Sequence, residues 1–180
     1  SFFLPFSEDI KSANEKACEM ASIEWTYGRV EGQNFINEFA RKIADELEAE
    51  GVRCVIPSQD SRFFVIVGGK SSNGKEYEGL TEETYSSAWS ERHAAFTAGL
   101  GTFGMSKGLI TKKGMAGRFG SIIVDKQFEA TKRDYKDIYE YCIKCGACSK
   151  RCPAEAIPVG KPKDHTICQP FVDKSKKVFA

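Results

Sequence analysis

Four cysteines lie close together near the carboxyl end of this 180-residue chain and constrain its fold more than any other feature. They are Cys142, Cys145, Cys148 and Cys152, separated by two, two and three residues, and Pro153 follows directly. Three thiolates on one tight loop can bind three corners of a [4Fe–4S] cube, and the fourth, next to the proline, points toward a second cube in two-cluster proteins. The spacing therefore predicts an iron–sulfur centre.

A disulfide framework and a zinc site account for these cysteines less well. A disulfide framework needs an oxidising compartment, whereas an odd total of seven cysteines favours reduced thiols in the cytoplasm. A structural zinc site usually has two separated Cys-x2-Cys pairs instead of three crowded cysteines. A zinc-stabilised interaction module remains an alternative hypothesis.

Composition predicts a globular protein with one main domain and a small appendage. Apolar residues make up 41% of the chain and charged residues 28%, and no apolar run approaches the roughly 20 residues that cross a bilayer. Residues 131–180 carry eleven Lys/Arg against six Asp/Glu, while residues 1–130 carry fifteen against nineteen. We therefore predict an α+β domain over 1–130 and a basic cluster-binding region over 131–180. The chain lacks an initiator methionine, which predicts a fragment of a longer polypeptide.

The hydrophobic pattern mixes helices and strands without a regular βαβ rhythm, which favours an α+β fold over a doubly wound sheet. Cys18 and Cys54 are predicted to be core residues. The predicted helices cover residues 7–21, 33–49, 90–98 and 134–141, with a helical turn over 154–157. The predicted strands cover 52–57, 63–67 (buried) and 119–124, and residues 68–79 are predicted to form a loop or hairpin.

A glycine segment follows the third predicted helix. Gly99, Gly101 and Gly104 formally match the G-x-G-x-x-G pattern of dinucleotide-binding proteins, but that motif should follow a strand and open a helix. The segment instead predicts a place where the backbone lies against a flat cofactor or against another element of the fold.

Counting thiolates leaves the number of clusters open. Two cubes need eight thiolates, and the tail offers five, because Cys168 adds one to the run of four. One cube can use the first four cysteines, or the first three with Cys168. Two cubes would use Cys142, Cys145 and Cys148 for one and Cys152 with Cys168 for the other, with three further thiolates from beyond Ala180.

The chain resembles the epoxyqueuosine reductase family, whose relatives include the corrinoid reductive dehalogenases. The resemblance rests on residues 89–95, on residues 98–101 with Gly104, on the 118–124 segment, and on the cysteine run with the later Cys168. It implies a nitroreductase-like domain, with a mixed sheet and helices, that holds cobalamin over a ferredoxin-like tail with two [4Fe–4S] clusters. It also implies cofactor-binding roles for Glu91, Gly99, Gly101 and Gly104.

The resemblance further implies that electrons pass through the clusters to a corrinoid cobalt, which acts on a small molecule or a modified nucleoside. The pocket would lie between the glycine segment and the cluster tail. A ferredoxin or flavodoxin would supply the electrons, and tRNA is a further candidate partner. Tyr85 stands where the tRNA-modifying enzymes carry an aspartate general acid, so it is the catalytic candidate. Alternatively, Tyr85 is a packing residue. The alternative function of the chain is that of an electron-transfer protein without substrate chemistry of its own.

Overall fold

Within residues 1–17 and 19–179, which a computed structural model describes, the chain forms five α-helices and nine short β-strands. The predicted core position of Cys18 lies outside these residues. The helices are α1 (Glu8–Lys16), α2 (Ile23–Ala49), α3 (Glu91–Thr97), α4 (Ala147–Lys150) and α5 (His165–Phe179). The strands are β1 (Phe2–Pro5), β2 (Cys54–Val55), β3 (Val65–Val67), β4 (Lys70–Ser71), β5 (Ser86–Ser87), β6 (Gly101–Phe103), β7 (Leu109–Thr111), β8 (Gly117–Gly120) and β9 (Ile123–Val124).

Two serine caps divide the amino-terminal helical region differently from the prediction. Ser7 begins α1, which ends at Lys16 instead of residue 21. The Ser22 hydroxyl accepts the N–H of Trp25 at 3.1 Å, so α2 begins ten residues before the predicted start at residue 33. The predicted end at Ala49 is confirmed.

Helical spacing in the sequence predicts that α2 packs a stripe into the core, formed by Phe35, Ile36, Phe39, Ile43 and Leu47. The buried face of α2 differs from that stripe. Ile36 is buried as expected, but its neighbours on that face are Ala40 and Ala44. Phe35 and Phe39 are 54% and 41% exposed, so their predicted core positions are wrong. The alanines lie where α2 packs against the segment around Ile56, and their small side chains allow that close approach.

The strands form four small antiparallel sheets, and the expected single mixed sheet is absent from the described residues. The sheets are β1–β8, β2–β9, β4–β3–β5 and β6–β7. The predicted strand over 119–124 is therefore two strands, because β8 pairs with β1 while β9 pairs with β2. Of the strand predicted over 52–57, only the two residues of β2 form a strand, and a 3₁₀ turn begins at Pro57.

The strand predicted over 63–67 is shorter and less buried than expected. Only Ile66 of β3 is buried, while Val65 and Val67 are 36% and 45% exposed. The predicted hairpin after it is confirmed, since β3 pairs with β4 across Gly68 and Gly69, which both have positive φ.

Two apolar clusters hold the main domain together. One contains Ala40, Ala44 and Ile56, and half-buried Cys54 packs against it, in line with its predicted core role. The other joins Ala95 of α3, Phe103 of β6 and Leu109 of β7. The prediction of α3 is confirmed, because the Ser90 hydroxyl caps it by accepting the N–H of His93. The backbone N–H of Phe103 also donates to the carbonyl of Ile138, which places the glycine segment beside the tail.

The tail folds differently from the sequence prediction. Residues 134–141 form bends and turns instead of a helix, because the Glu140 carboxylate accepts the N–H groups of Lys136 and Asp137. Such local side-chain hydrogen bonds compete with helix formation. Residues 154–157 likewise form no helix, whereas α5 was not predicted. Among the described helices, none combines the length and the apolar character that a bilayer crossing requires.

Candidate iron–sulfur centre

The first three cysteines of the run lie around one small cavity. Cys142, Cys145 and Cys148 line a space of about 170 Å³ together with the loop that joins them. Lys144 and Gly146, which separate the cysteines, both have positive φ (54° and 72°). These left-handed residues curl the backbone so that all three cysteines border the same space. Three of the predicted cluster ligands therefore border one cavity.

The remaining two tail cysteines lie around a different cavity. Cys152 and Cys168 line a space of about 400 Å³ between the cluster loop, α5 and the amino-terminal helices. The N–H of the fully buried Ala156 donates to the Cys152 sulfur at 3.3 Å. Hydrogen bonds of this kind help set the reduction potential of a cluster-ligating thiolate. The fold thus divides the five cysteines into three and two.

The donor chemistry fits an iron–sulfur cluster. All five tail cysteines are free thiols; Cys145 is exposed and the others are half-buried. In the part of the chain that the structure describes, no three His, Cys, Asp or Glu side chains converge on a single metal ion. A cubane cluster does not require that convergence, because each of its four thiolates binds a different iron atom.

Hydrogen bonds from the glycine segment hold the start of the cluster loop. The hydroxyl of Thr102, which is fully buried, accepts the N–H of Tyr141 at 2.8 Å, directly before Cys142. The N–H of Phe103 donates to the carbonyl of Ile138 at 2.7 Å. Sequence reasoning missed Thr102. The signal that could have identified it is a hydroxyl between two apolar residues, Gly101 and Phe103, because a buried hydroxyl needs a hydrogen-bond partner.

A larger cavity lies between the glycine segment and the cluster loop, where the family resemblance implies a pocket. It has a volume of about 550 Å³, within the range of small-molecule sites. One wall contains Gly104 and Met105, and the other contains Cys142, Lys144 and Gly146. A molecule bound there would lie next to a candidate cluster ligand.

The three glycines have different neighbours. A Cβ on Gly101 would lie 2.0 Å from the carbonyl oxygen of Ile110, so Gly101 permits close pairing of β6 with β7. A Cβ on Gly99 would meet Arg133 at 3.4 Å, and Gly99 has a φ of +87°. Of the three, Gly104 alone borders the 550 Å³ cavity. The sequence predicts that this segment lies close to a flat cofactor or to another element of the fold, and at Gly101 that neighbour is β7.

Glu91 carries an unusual carboxyl group. Both of its oxygens are buried, and neither has a hydrogen-bond partner among the described residues. Burial raises the pKa of the Glu91 carboxyl, and nearby Ser121 and Trp89 offset part of that rise. The Trp89 ring N–H donates instead to the Ser121 hydroxyl at 3.0 Å. Glu91 does not border the 550 Å³ cavity.

Tyr85 lies away from that cavity. Its ring stacks on the ring of His165 at 5.3 Å, and its hydroxyl is directed toward Gly68. Burial lowers the pKa of His165, and the positive charge of Lys163 lowers it further, to about 4. The His165 ring is therefore neutral at pH 7. The structure therefore places Tyr85 beside the helix that carries Cys168.

A lysine that sequence reasoning missed lies near the second cysteine pair. Burial lowers the pKa of Lys163, and the neighbouring thiols of Cys168 and Cys152 oppose this shift. Its backbone N–H donates to the carbonyl of Met105 at 3.2 Å, which joins the tail to the end of the glycine segment.

Comparison with known families identifies the tail. Residues 135–157 match the 4Fe-4S binding domain (Fer4), a stretch that contains all four cysteines of the run. The tail is thus a 4Fe–4S binding region. Neither the curated proteins nor the solved structures give a match to the chain. The family match and the cysteine geometry together support an iron–sulfur electron-transfer protein.

Proposed function

We propose that this protein is an iron–sulfur oxidoreductase of the epoxyqueuosine reductase type, which passes electrons from [4Fe–4S] clusters to a small substrate. The observation that carries the proposal is the 550 Å³ cavity, which has Cys142 in one wall and the end of the glycine segment in the other. Electrons that leave a cluster beside Cys142 would reach a molecule in this cavity directly.

The division of the cysteines supports two clusters in the complete assembly. Cys142, Cys145 and Cys148 would hold three corners of one cube, and Cys152 with Cys168 would hold two corners of another. The seven cysteines of this sequence cannot supply the eight thiolates that two cubes need. The second cube would therefore take further ligands from outside this sequence.

The residues around the cavity suggest how a substrate would be held. Lys144 and Asp137 supply opposite charges, Tyr139 supplies a hydroxyl, and Met105 with Val159 supplies apolar surface. Apolar walls with a few polar groups are typical of sites that orient a small molecule. A soluble electron donor such as a ferredoxin or flavodoxin would dock near the exposed Cys145.

A corrinoid is not part of this proposal. Gly101, one of the residues assigned to such a cofactor, packs against the backbone of Ile110, and the Glu91 carboxyl is buried away from the cavity. In this proposal, electrons pass from the clusters to the substrate without a cobalt centre. Cobalt analysis of the protein tests this exclusion.

The proposal is tested by purifying the 180-residue chain without oxygen and measuring iron, acid-labile sulfide and cobalt. We expect no more than about four iron atoms and four sulfides per chain, because the sequence has too few thiolates for two complete cubes. Replacing Cys148 with Ser should remove most of the iron, whereas Cys54→Ser, a matched thiol in the main domain, should not. Protein that contains zinc and no sulfide would contradict the proposal.

A second candidate is an electron-transfer protein with no substrate chemistry of its own. The position of Tyr85 favours it, because Tyr85 stacks on His165 and does not border the 550 Å³ cavity. Tyr85→Phe should then leave reoxidation of the dithionite-reduced clusters unchanged with every acceptor tested, as should the control Tyr77→Phe. A selective loss of turnover with one substrate in the first variant would restore Tyr85 as the proton donor.

A further inference from the structure

Exposed apolar side chains lie at the 170 Å³ cavity that the first three cysteines of the run share. Ile143 and Met115 both border this cavity, and they are 84% and 44% exposed. Met115 comes from the loop between β7 and β8, and a Cβ on Gly108 would lie 2.5 Å from its methyl carbon, so the glycine makes room for it. Two apolar residues that are distant in the chain thus meet at one opening. Apolar surface that stays exposed and has a polar rim is typical of a contact site for another molecule.

The segments around this opening carry only positive charge. Residues 104–124 and 141–154 contain seven Lys/Arg and no Asp/Glu. The exposed lysines among them are Lys113, Lys144 and Lys150, and none of these three forms a salt bridge with a residue that the structure describes. Lys144 itself borders the 170 Å³ cavity. Free lysines around an apolar centre favour a partner whose contact face is acidic.

This surface differs from the lining of the 550 Å³ cavity proposed for the substrate. Met115, Ile143 and Cys145 border the 170 Å³ cavity and not the larger one, whereas Cys142 borders both. A cluster held by these cysteines would therefore have one ligand at the exposed apolar surface and another beside the substrate cavity. A protein that covers Met115 and Ile143 would approach the cluster without occupying the place of the substrate.

The chemistry of the surface favours a protein over a nucleic acid. Phosphate groups of a nucleic acid would pair with the lysines, but they would leave Ile143 and Met115 uncovered. A protein interface has an apolar centre and a polar rim, which matches this surface. Weak electron-transfer complexes bury little area, and opposite charges speed their association. The small size and the charge of the surface are consistent with such a brief contact.

We propose that Met115, Ile143 and the exposed lysines around them form the docking surface for an acidic electron-carrier protein. Its apolar contact would cover Ile143 and Met115, and its carboxylates would pair with the lysines. One electron passes from the reduced carrier to the oxidised cluster, so the carrier is oxidised by one electron and the cluster is reduced by one. The docking stands on the surface, whereas the electron transfer rests on the proposed function.

The test uses an acidic flavodoxin with the iron-loaded 180-residue chain. Stopped-flow absorption gives the rate constant for cluster reduction by reduced flavodoxin, and calorimetric titration gives the affinity for oxidised flavodoxin. At an ionic strength of about 0.01 M, where the Debye length is about 30 Å, Lys113→Glu/Lys150→Glu should lower the rate constant about tenfold. The difference should disappear at about 1 M, where that length is about 3 Å. The control Lys42→Glu/Lys75→Glu reverses two exposed lysines of the main domain and should change neither quantity.

The apolar part of the surface is tested by Ile143→Ser, which should weaken flavodoxin binding about tenfold at both ionic strengths, because salt does not screen an apolar contact. Val30→Ser, at a position on α2 that is 54% exposed, is the matched control and should leave binding unchanged. Iron content is measured for each variant. Met115→Ser, which does not adjoin a cysteine in the sequence, decides the result if Ile143→Ser loses its iron.

The docking surface is overturned if the lysine variant and its control lose the same rate, or if both apolar variants bind flavodoxin as the parent does. It is also overturned if an RNA hairpin or anionic phospholipid vesicles bind more tightly than flavodoxin and the lysine variant abolishes that binding. Iron-free protein that binds flavodoxin through these lysines would contradict the proposed function and support the docking surface.

Discussion

Replacing Gly101 with Ala tests whether the glycine segment serves packing or a cofactor. The new Cβ would lie 2.0 Å from the Ile110 carbonyl oxygen and 2.8 Å from its carbon. Both atoms belong to the backbone of β7, so neither can rotate away, and the β6–β7 pair must separate. Overpacking of a buried site costs about 1–3 kcal/mol and occasionally more, and a clash with backbone belongs at the upper end.

We therefore expect Gly101→Ala to lower the free energy of unfolding by about 3 kcal/mol, out of a typical total of about 5–15 kcal/mol. For a chain of this size, that corresponds to a drop in Tm of about 6–12 °C. Urea and thermal unfolding followed by far-UV circular dichroism would measure it. The loss should persist in iron-free protein, because the contact with Ile110 lies within the main domain.

Gly32→Ala is the matched control. A Cβ on Gly32 would make ordinary contacts of 3.5 Å and 3.6 Å with Arg118 and Leu4, in the interior of α2. The same substitution should therefore raise stability by about 0.5–1 kcal/mol through helix propensity. An unchanged unfolding free energy in Gly101→Ala would refute the packing role and return this glycine to a cofactor role.

Three further predictions concern named hydrogen bonds and carboxyl groups. Thr102→Val leaves the half-buried N–H of Tyr141 without its acceptor. This variant should destabilise the protein by about 1–3 kcal/mol and speed iron release to a chelator. Thr97→Val, at the exposed end of α3, should have neither effect. The raised pKa of the Glu91 carboxyl means that the parent protein loses stability when this group ionises. Glu91→Gln should therefore be increasingly more stable than the parent as the pH rises above 4.5. Equal pH profiles of unfolding for the variant and the parent would contradict this prediction. Arg62→Gln should return the pKa of Asp60 from about 2 toward 3.8 in an NMR titration, because the hydrogen bonds from Arg62 stabilise the ionised carboxylate. In the parent protein, Asp60 stays ionised until the pH falls through about 2. An unmoved titration midpoint in the variant would argue against the pairing of Asp60 with Arg62.

The sequence by itself determined the iron–sulfur chemistry, since the spacing of four cysteines is a local property of one loop. It also determined α3 and the end of α2, because caps and stop signals act within a few residues, as Ser90 and the segment around Gly51 do.

Tertiary structure alone decided which elements meet. The 119–124 segment divides into two strands because its halves find different partners in β1 and β2, and periodicity carries no information about partners. The same applies to Thr102 beneath the cluster loop and to the separation of Cys152 and Cys168 from the other three cysteines. These contacts join residues distant in the chain, and the energy of packing them depends on the whole fold.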